Sequence, residues 1–133
     1  MTKKALDLLN DNPNGQKNGF FLQVEGASID KQDHAGNACG QIGETDDFDQ
    51  AIAYAMQNVD LTNTLVIVTA DHETGGLVVV DGDEHTGRVT GVYVSDDHTP
   101  AMLPVFAYGP GADKFCGTYM NTEIARRIKS LIK

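Results

Sequence analysis

Basic residues and cysteines are scarce in these 133 residues, and each scarcity closes a class of function. Ten Lys and Arg stand against 19 Asp and Glu, a formal net charge of -9. A nucleic-acid surface needs clustered Lys and Arg to neutralise phosphates, so that partner is excluded. Cys39 and Cys116 lie outside any Cys-x-x-Cys unit, which argues against a thiolate zinc site. Whether those two cysteines pair is left open by the sequence. No apolar run approaches the roughly 18 residues needed to span a bilayer. The first ten residues have neither a long apolar core nor a small-residue cleavage site, so they are not a signal peptide. With 41% apolar and 22% charged residues, the chain is not a disordered tail either. Repeats, low-complexity segments and an internal domain boundary are all absent, and the length suits one domain. The acidity that remains means either a solvated surface or carboxylates gathered around cations.

The order of elements predicted from the pattern is that of an α/β fold. Ala5, Leu6 and Leu9 sit at helical spacing before a stop at Asn12-Pro13-Asn14-Gly15. Gly19–Val24 is a strand candidate ending at Glu25-Gly26, followed by a polar stretch over 28–37. Phe48, Ile52, Ala55, Met56 and Val59 form one stripe, predicting a helix over Asp46–Val59 that starts at Thr45-Asp46-Asp47. Asn63–Thr69 is apolar on both faces, which suits a buried parallel strand. Leu77–Val80 and Val89–Val94 bracket an acidic turn and predict a hairpin. Ala101–Tyr108 is a further strand candidate. Thr122–Ile132 reads as a closing helix with Ile124, Ile128, Leu131 and Ile132 inward and Arg126, Arg127 and Lys129 outward.

Two of these strands end in residues that ligate metals. The first cluster is Glu25-Gly-Ala-Ser-Ile-Asp30-Lys-Gln-Asp33-His34, in which one helical turn would bring Asp30 and His34 to the same face. The second is Thr69-Ala-Asp71-His72, where neighbouring side chains diverge unless the chain bends, and Gly75-Gly76 makes a bend available. An Asp and His four apart are commonly a surface pair, and an Asp-His step after a strand is commonly a cap or turn. The two clusters together favour a metal site, because ligands in open α/β sheets bind beyond the carboxyl ends of strands. Mixed histidine and carboxylate ligands suit zinc, and all-oxygen ligands suit magnesium.

Phe20–His34 resembles the conserved metal segment of the alkaline phosphatases, and Thr64–Gly76 resembles their second. His98-Thr99, ten residues before Tyr108-Gly109-Pro110, is similar to the third. The resemblance implies an alkaline-phosphatase-like three-layer α/β/α sandwich with a mostly parallel central sheet. It implies hydrolysis of phosphomonoesters with two zincs and one magnesium. Asp30, His34 and His98 match the ligands of the first zinc, Asp71 and His72 those of the second, and Glu25 the magnesium ligand. Lys31 matches a lysine that lies near the phosphate. His85 imitates the third motif at the wrong distance from Tyr108-Gly-Pro and is expected in the hairpin loop.

The family forms a phosphoseryl intermediate on a serine that follows an aspartate. Ser28, Ser95 and Ser130 do not follow one, and Arg88, Arg126 and Arg127 match no phosphate-gripping motif. The aspartate bridging the second zinc and magnesium, and the magnesium-site threonine, are also unmatched. Residues 1–133 are therefore expected to be a single C-terminal part of an alkaline phosphatase domain with the N-terminal half absent, binding one zinc and having no catalytic residue of its own. The parent would be periplasmic or secreted and homodimeric. An exposed sheet edge predicts self-association of the isolated chain. The competing readings are another enzyme of the superfamily (a phosphodiesterase, sulfatase or cofactor-independent mutase) and a metal-binding module without catalysis.

Overall fold

The structure, a computed structural model, describes residues 1–132. Helix α1 (Thr2–Asn10) buries Leu6 and ends where expected, but the stop is also a start. Asn12 caps a second helix, α2 (Pro13–Asn18), accepting from the Asn14 and Gly15 backbone N–H groups at 2.9 and 3.4 Å. Proline at the first helical position needs no N–H there, which makes Asn12-Pro13 an initiator. Gly19–Val24 is not a strand: no ladder forms along it, and Phe21 is 61% exposed. An apolar segment of this kind becomes a strand only against a neighbour, and none adjoins it among the described residues.

Most of α3 (Ala27–His34) falls in the polar stretch 28–37, and it packs on α4 (Ala38–Asn58). Helix α4 begins eight residues before the expected Asp46. Its cap is Asn37, whose side chain accepts from the Gly40 N–H at 3.1 Å. Thr45 is an interior residue, bonded back to the Gln41 carbonyl at 2.9 Å. The first two turns carry no apolar stripe, and close packing on α3 holds them instead. A Cβ on Gly40 would lie 2.4 Å from the end of the Gln32 side chain, which would have to swing aside.

The strands form three two-stranded ladders, all antiparallel. The ladder β1·β6 joins Val66–Val68 to Phe106–Tyr108, so β6 is only the end of the Ala101–Tyr108 candidate. The expected parallel neighbour of β1 is missing because its other edge has no partner among the described residues. The predicted hairpin is present as β3 (Val78–Asp83) and β4 (Arg88–Val92), with His85 exposed in its loop. The short ladder β2·β5 pairs Glu73 with Thr99 and Thr74 with His98. Helix α5 (Thr122–Leu131) closes the chain. Arg127 is not outward as expected: it donates to the Lys114 and Cys116 carbonyls and lies 3.7 Å from the Tyr119 ring centroid. Ile132, expected inward, is 60% exposed. Cys39 and Cys116 are free and exposed. No described helix is long and apolar enough to cross a membrane.

Little of the apolar surface is enclosed. Leu6 and Phe115 are the buried apolar side chains among the described residues, and neither is completely enclosed. The chain exposes 9539 Å², whereas a compact monomer of 14.3 kDa exposes about 6,800 Å². Much of the excess is apolar, including Val78, Val79 and Val80 on β3 and Phe106 and Tyr108 on β6. With so small a core, Phe115→Ala is expected to cost about 3 kcal/mol, read as a lowered urea midpoint.

Candidate metal centre

Asp30 and His34 project from the same face of α3, with Asp30 Oδ1 3.3 Å from His34 Nε2. Spacing of four on a helix accounts for this pair. The third member arrives from far along the chain. Strand β5 places His98 Nε2 at 3.1 Å from His34 Nε2 and 3.5 Å from Asp30 Oδ1. These three residues are the group whose ligand atoms all converge within 4.8 Å.

The hydrogen bonds around them decide which nitrogens are free. The Asp96 backbone carbonyl lies 2.7 Å from His34 Nδ1. A carbonyl can only accept, so Nδ1 carries the proton and the neutral ring turns a bare Nε2 toward Asp30. That carbonyl also favours the charged ring and raises the His34 pKa above its ordinary value. Asp30 is held lower than usual, first by the hydrogen bond from Thr74 and then by the nearby histidines. Each of the three residues offers one ligand atom here, so together they could hold a metal ion.

The geometry suits zinc. Tetrahedral ligands at roughly 2.0–2.1 Å from zinc lie roughly 3.3 Å from one another. The three separations here, 3.1, 3.3 and 3.5 Å, bracket that value. Were all three to bind one zinc, a fourth position would stay open, as in hydrolytic zinc sites.

A second pair stands beside the first group. His72 Nε2 is 3.3 Å from Asp71 Oδ2, so the adjacent side chains do converge. Positive φ at Gly75 (80°) and Gly76 (59°) turns the chain after the two residues of β2, Glu73 and Thr74. The His72 ring stacks on His98 at 3.5 Å between centroids with an interplanar angle of 18°. Glu25 and Lys31 are both exposed, and Glu25 lies outside the converging group.

Four further residues support the centre and were not singled out in the sequence. Thr74, 5% exposed, donates to Asp30 Oδ1 at 2.7 Å and lies 3.2 Å from His72 Nδ1. Alternation along an extended segment puts Thr74 on the side of His72, a signal that was available. Glu73 accepts from the Gly76 N–H at 2.9 and 3.1 Å and from the Thr99 hydroxyl, pinning the residue after His98. Asp96 contributes its carbonyl. Tyr93 donates to Asp33 Oδ1 at 2.9 Å, joining α3 to the segment that leads into β5. Burial raises the Asp33 pKa, and burial with the Asp33 bond pushes Tyr93 up to about 12. Tyr93→Phe leaves the buried Asp33 oxygen without this donor. It is expected to cost about 1–3 kcal/mol in urea unfolding, while Tyr54→Phe, which removes only a solvent-exposed hydrogen bond from Lys3, changes little.

The alkaline phosphatase family model matches residues 1–92. The chain is 40% identical to the alkaline phosphatase of Escherichia coli over 149 residues, covering 99% of this chain and 31% of that protein. It is 44% identical to alkaline phosphatase H of Pseudomonas aeruginosa over 142 residues, covering 93% of this chain and 29% of the relative. A solved mutant of alkaline phosphatase from the Antarctic bacterium TAB5, with Mg bound, superposes with a TM-score of 0.80 at 36% identity. That match covers 98% of this chain and 40% of the other. The chain thus spans about a third of the length of these curated relatives. The α/β fold is accordingly that of the alkaline phosphatases, and the chain belongs to the alkaline phosphatase family.

Proposed function

We propose that this chain is the metal-binding C-terminal part of a phosphomonoester hydrolase. Asp30, His34 and His98 hold one zinc, Asp71 and His72 contribute to a second, and Glu25 contributes to a magnesium. The observation that carries this reading is the triangle of Asp30 Oδ1, His34 Nε2 and His98 Nε2, with sides of 3.1 to 3.5 Å. Metal bound there supplies a Lewis acid for a phosphoryl oxygen and lowers the pKa of coordinated water. The residues present orient that ion: the Asp96 carbonyl directs His34, Thr74 holds Asp30, and the β2·β5 pairing carries His98 into place. Magnesium in the TAB5 relative supports a magnesium position in the family, with Glu25 as this chain's contribution. Lys31 would stand near the substrate phosphate.

The remainder of the active centre would come from the N-terminal half of the whole protein. Three features support that: no serine follows an aspartate, the relatives are about three times longer, and the exposed area exceeds that of a compact monomer. In the whole protein β1 would join a mostly parallel central sheet through its unpaired edge, between two helical layers. A homodimeric, periplasmic or secreted parent completes the reading. A zinc titration of the metal-free chain by calorimetry tests it. One tight site per chain is expected, and absence of binding would overturn the metal centre.

A further inference from the structure

The hydroxyl of Thr74 lies between the two ligand sets. Its oxygen is 2.7 Å from Asp30 Oδ1, a member of the first group, and 3.2 Å from Nδ1 of His72, a member of the second. A hydroxyl has one proton. The ionised Asp30 carboxylate can only accept, so that proton goes to Asp30. The threonine oxygen is left with lone pairs alone, and the contact to His72 is a hydrogen bond only if Nδ1 supplies the hydrogen. His72, when neutral, is then the Nδ1–H tautomer. Its bare nitrogen is Nε2, the atom that lies 3.3 Å from Asp71 Oδ2.

The surroundings hold this arrangement in place. Thr74 is 5% exposed, which leaves little access for water to substitute for the hydroxyl. Its backbone pairs with His98 across β2·β5, so the same residue faces a ligand of the first group on its partner strand. Glu73 grips the Gly76 N–H and the Thr99 hydroxyl, which ties β2 to β5 through a side chain as well as through the ladder. The β-branched side chain of threonine is also stiff about χ1, so the hydroxyl is aimed before any ion arrives.

We propose that Thr74 is a positioning residue that couples the two metal positions through one hydroxyl, holding Asp30 for the first and selecting the His72 tautomer whose Nε2 serves the second. This rests on the metal-centre reading above, but the two fail separately. Loss of an outer hydrogen-bond partner of a metal ligand costs roughly 10–100-fold in metal affinity. Coupling through a shared hydroxyl is reciprocal, so zinc at the first position and the His72 tautomer affect each other by the same factor.

The test uses the full chain as wild type, Thr74→Val and Thr74→Ser. Zinc affinity is measured by chelator competition, and the His72 tautomer by long-range 1H–15N correlation above the pH at which histidine protonates. Wild type is expected to show Nδ1–H at His72. Thr74→Val should lose that preference together with roughly 10–100-fold in zinc affinity, and Thr74→Ser should restore both substantially. Unchanged zinc affinity in a folded Thr74→Val, or a wild-type His72 protonated at Nε2, overturns the proposal. Should Thr74→Val fail to fold, the wild-type tautomer and the serine variant still decide it. If wild type binds no zinc, the metal centre falls, while the tautomer measurement still judges the hold of Thr74 on His72.

Discussion

Replacing Asp30 with alanine is expected to abolish tight zinc binding by this chain. The carboxylate contributes the one negative charge of the three-residue group, and its Oδ1 lies 3.3 Å from His34 Nε2 and 3.5 Å from His98 Nε2. Without it, two neutral imidazoles remain, too few for a closed or hydrolytic zinc site. The loss should therefore exceed the roughly 10–100-fold that follows removal of an outer hydrogen-bond partner. Glu84→Ala, in the exposed hairpin loop, removes an equal charge at a distance and should leave affinity unchanged. Calorimetric titration of both variants separates ligation from general attraction of a cation to an acidic chain. Equal affinity in wild type and Asp30→Ala would place the zinc elsewhere. Affinity should also fall as pH drops, because zinc must displace the proton from Nε2. The raised His34 pKa begins that competition at a higher pH than an ordinary histidine would.

Phosphatase turnover is the second large effect. The isolated chain, saturated with zinc and magnesium, is expected to hydrolyse p-nitrophenyl phosphate no faster than the metals alone. Ser28, Ser95 and Ser130 offer no nucleophile after an aspartate, and the Ser95 oxygen already accepts from the Asp97 N–H at 3.0 Å. Loss of a serine nucleophile elsewhere costs on the order of 10⁶ in turnover, enough to remove detectable activity. Mixing the chain with the N-terminal part of a bacterial relative should restore turnover that depends on His34. The open apolar face gives that part a surface to cover, including Val66, Val68, Phe106 and Tyr108 around a cavity of about 400 Å³. Zinc-dependent hydrolysis by the chain alone, lost in Asp30→Ala, would show that it holds a nucleophile after all. Failure of the mixed parts to associate would count against their sharing a fold.

Several parts of this arrangement could be read from local pattern. Asp30 and His34 stand four apart, and a helix converts that interval into adjacency whatever else the chain does. The hairpin around Asp83-Glu84-His85 is short-range and was legible for the same reason. Other elements left no such mark. The first two turns of α4 have no apolar stripe, and their helix depends on the Asn37 cap and on packing against α3. Gly19–Val24 has a strand's composition but no ladder, since pairing is a property of two segments. The neighbour of β1 is hidden for the same reason: apolar character on both faces marks a buried strand but does not name its partner, and the one found, β6, is antiparallel.

The sequence by itself limited the candidate ligands: carboxylates and histidines grouped after apolar runs, no Cys-x-x-Cys unit, and no serine following an aspartate. It also placed the chain in its family through three ordered segments. Tertiary structure alone decided that His98 meets His34 across 64 positions, because a two-residue ladder between β2 and β5 sets that encounter. It decided as well that the Asp96 carbonyl turns His34 and that the Thr74 hydroxyl lies between Asp30 and His72. Helical and strand periods specify contacts within a few residues. A tautomer or a metal triangle depends on groups brought together from distant segments, and only the folded chain brings them within bonding distance.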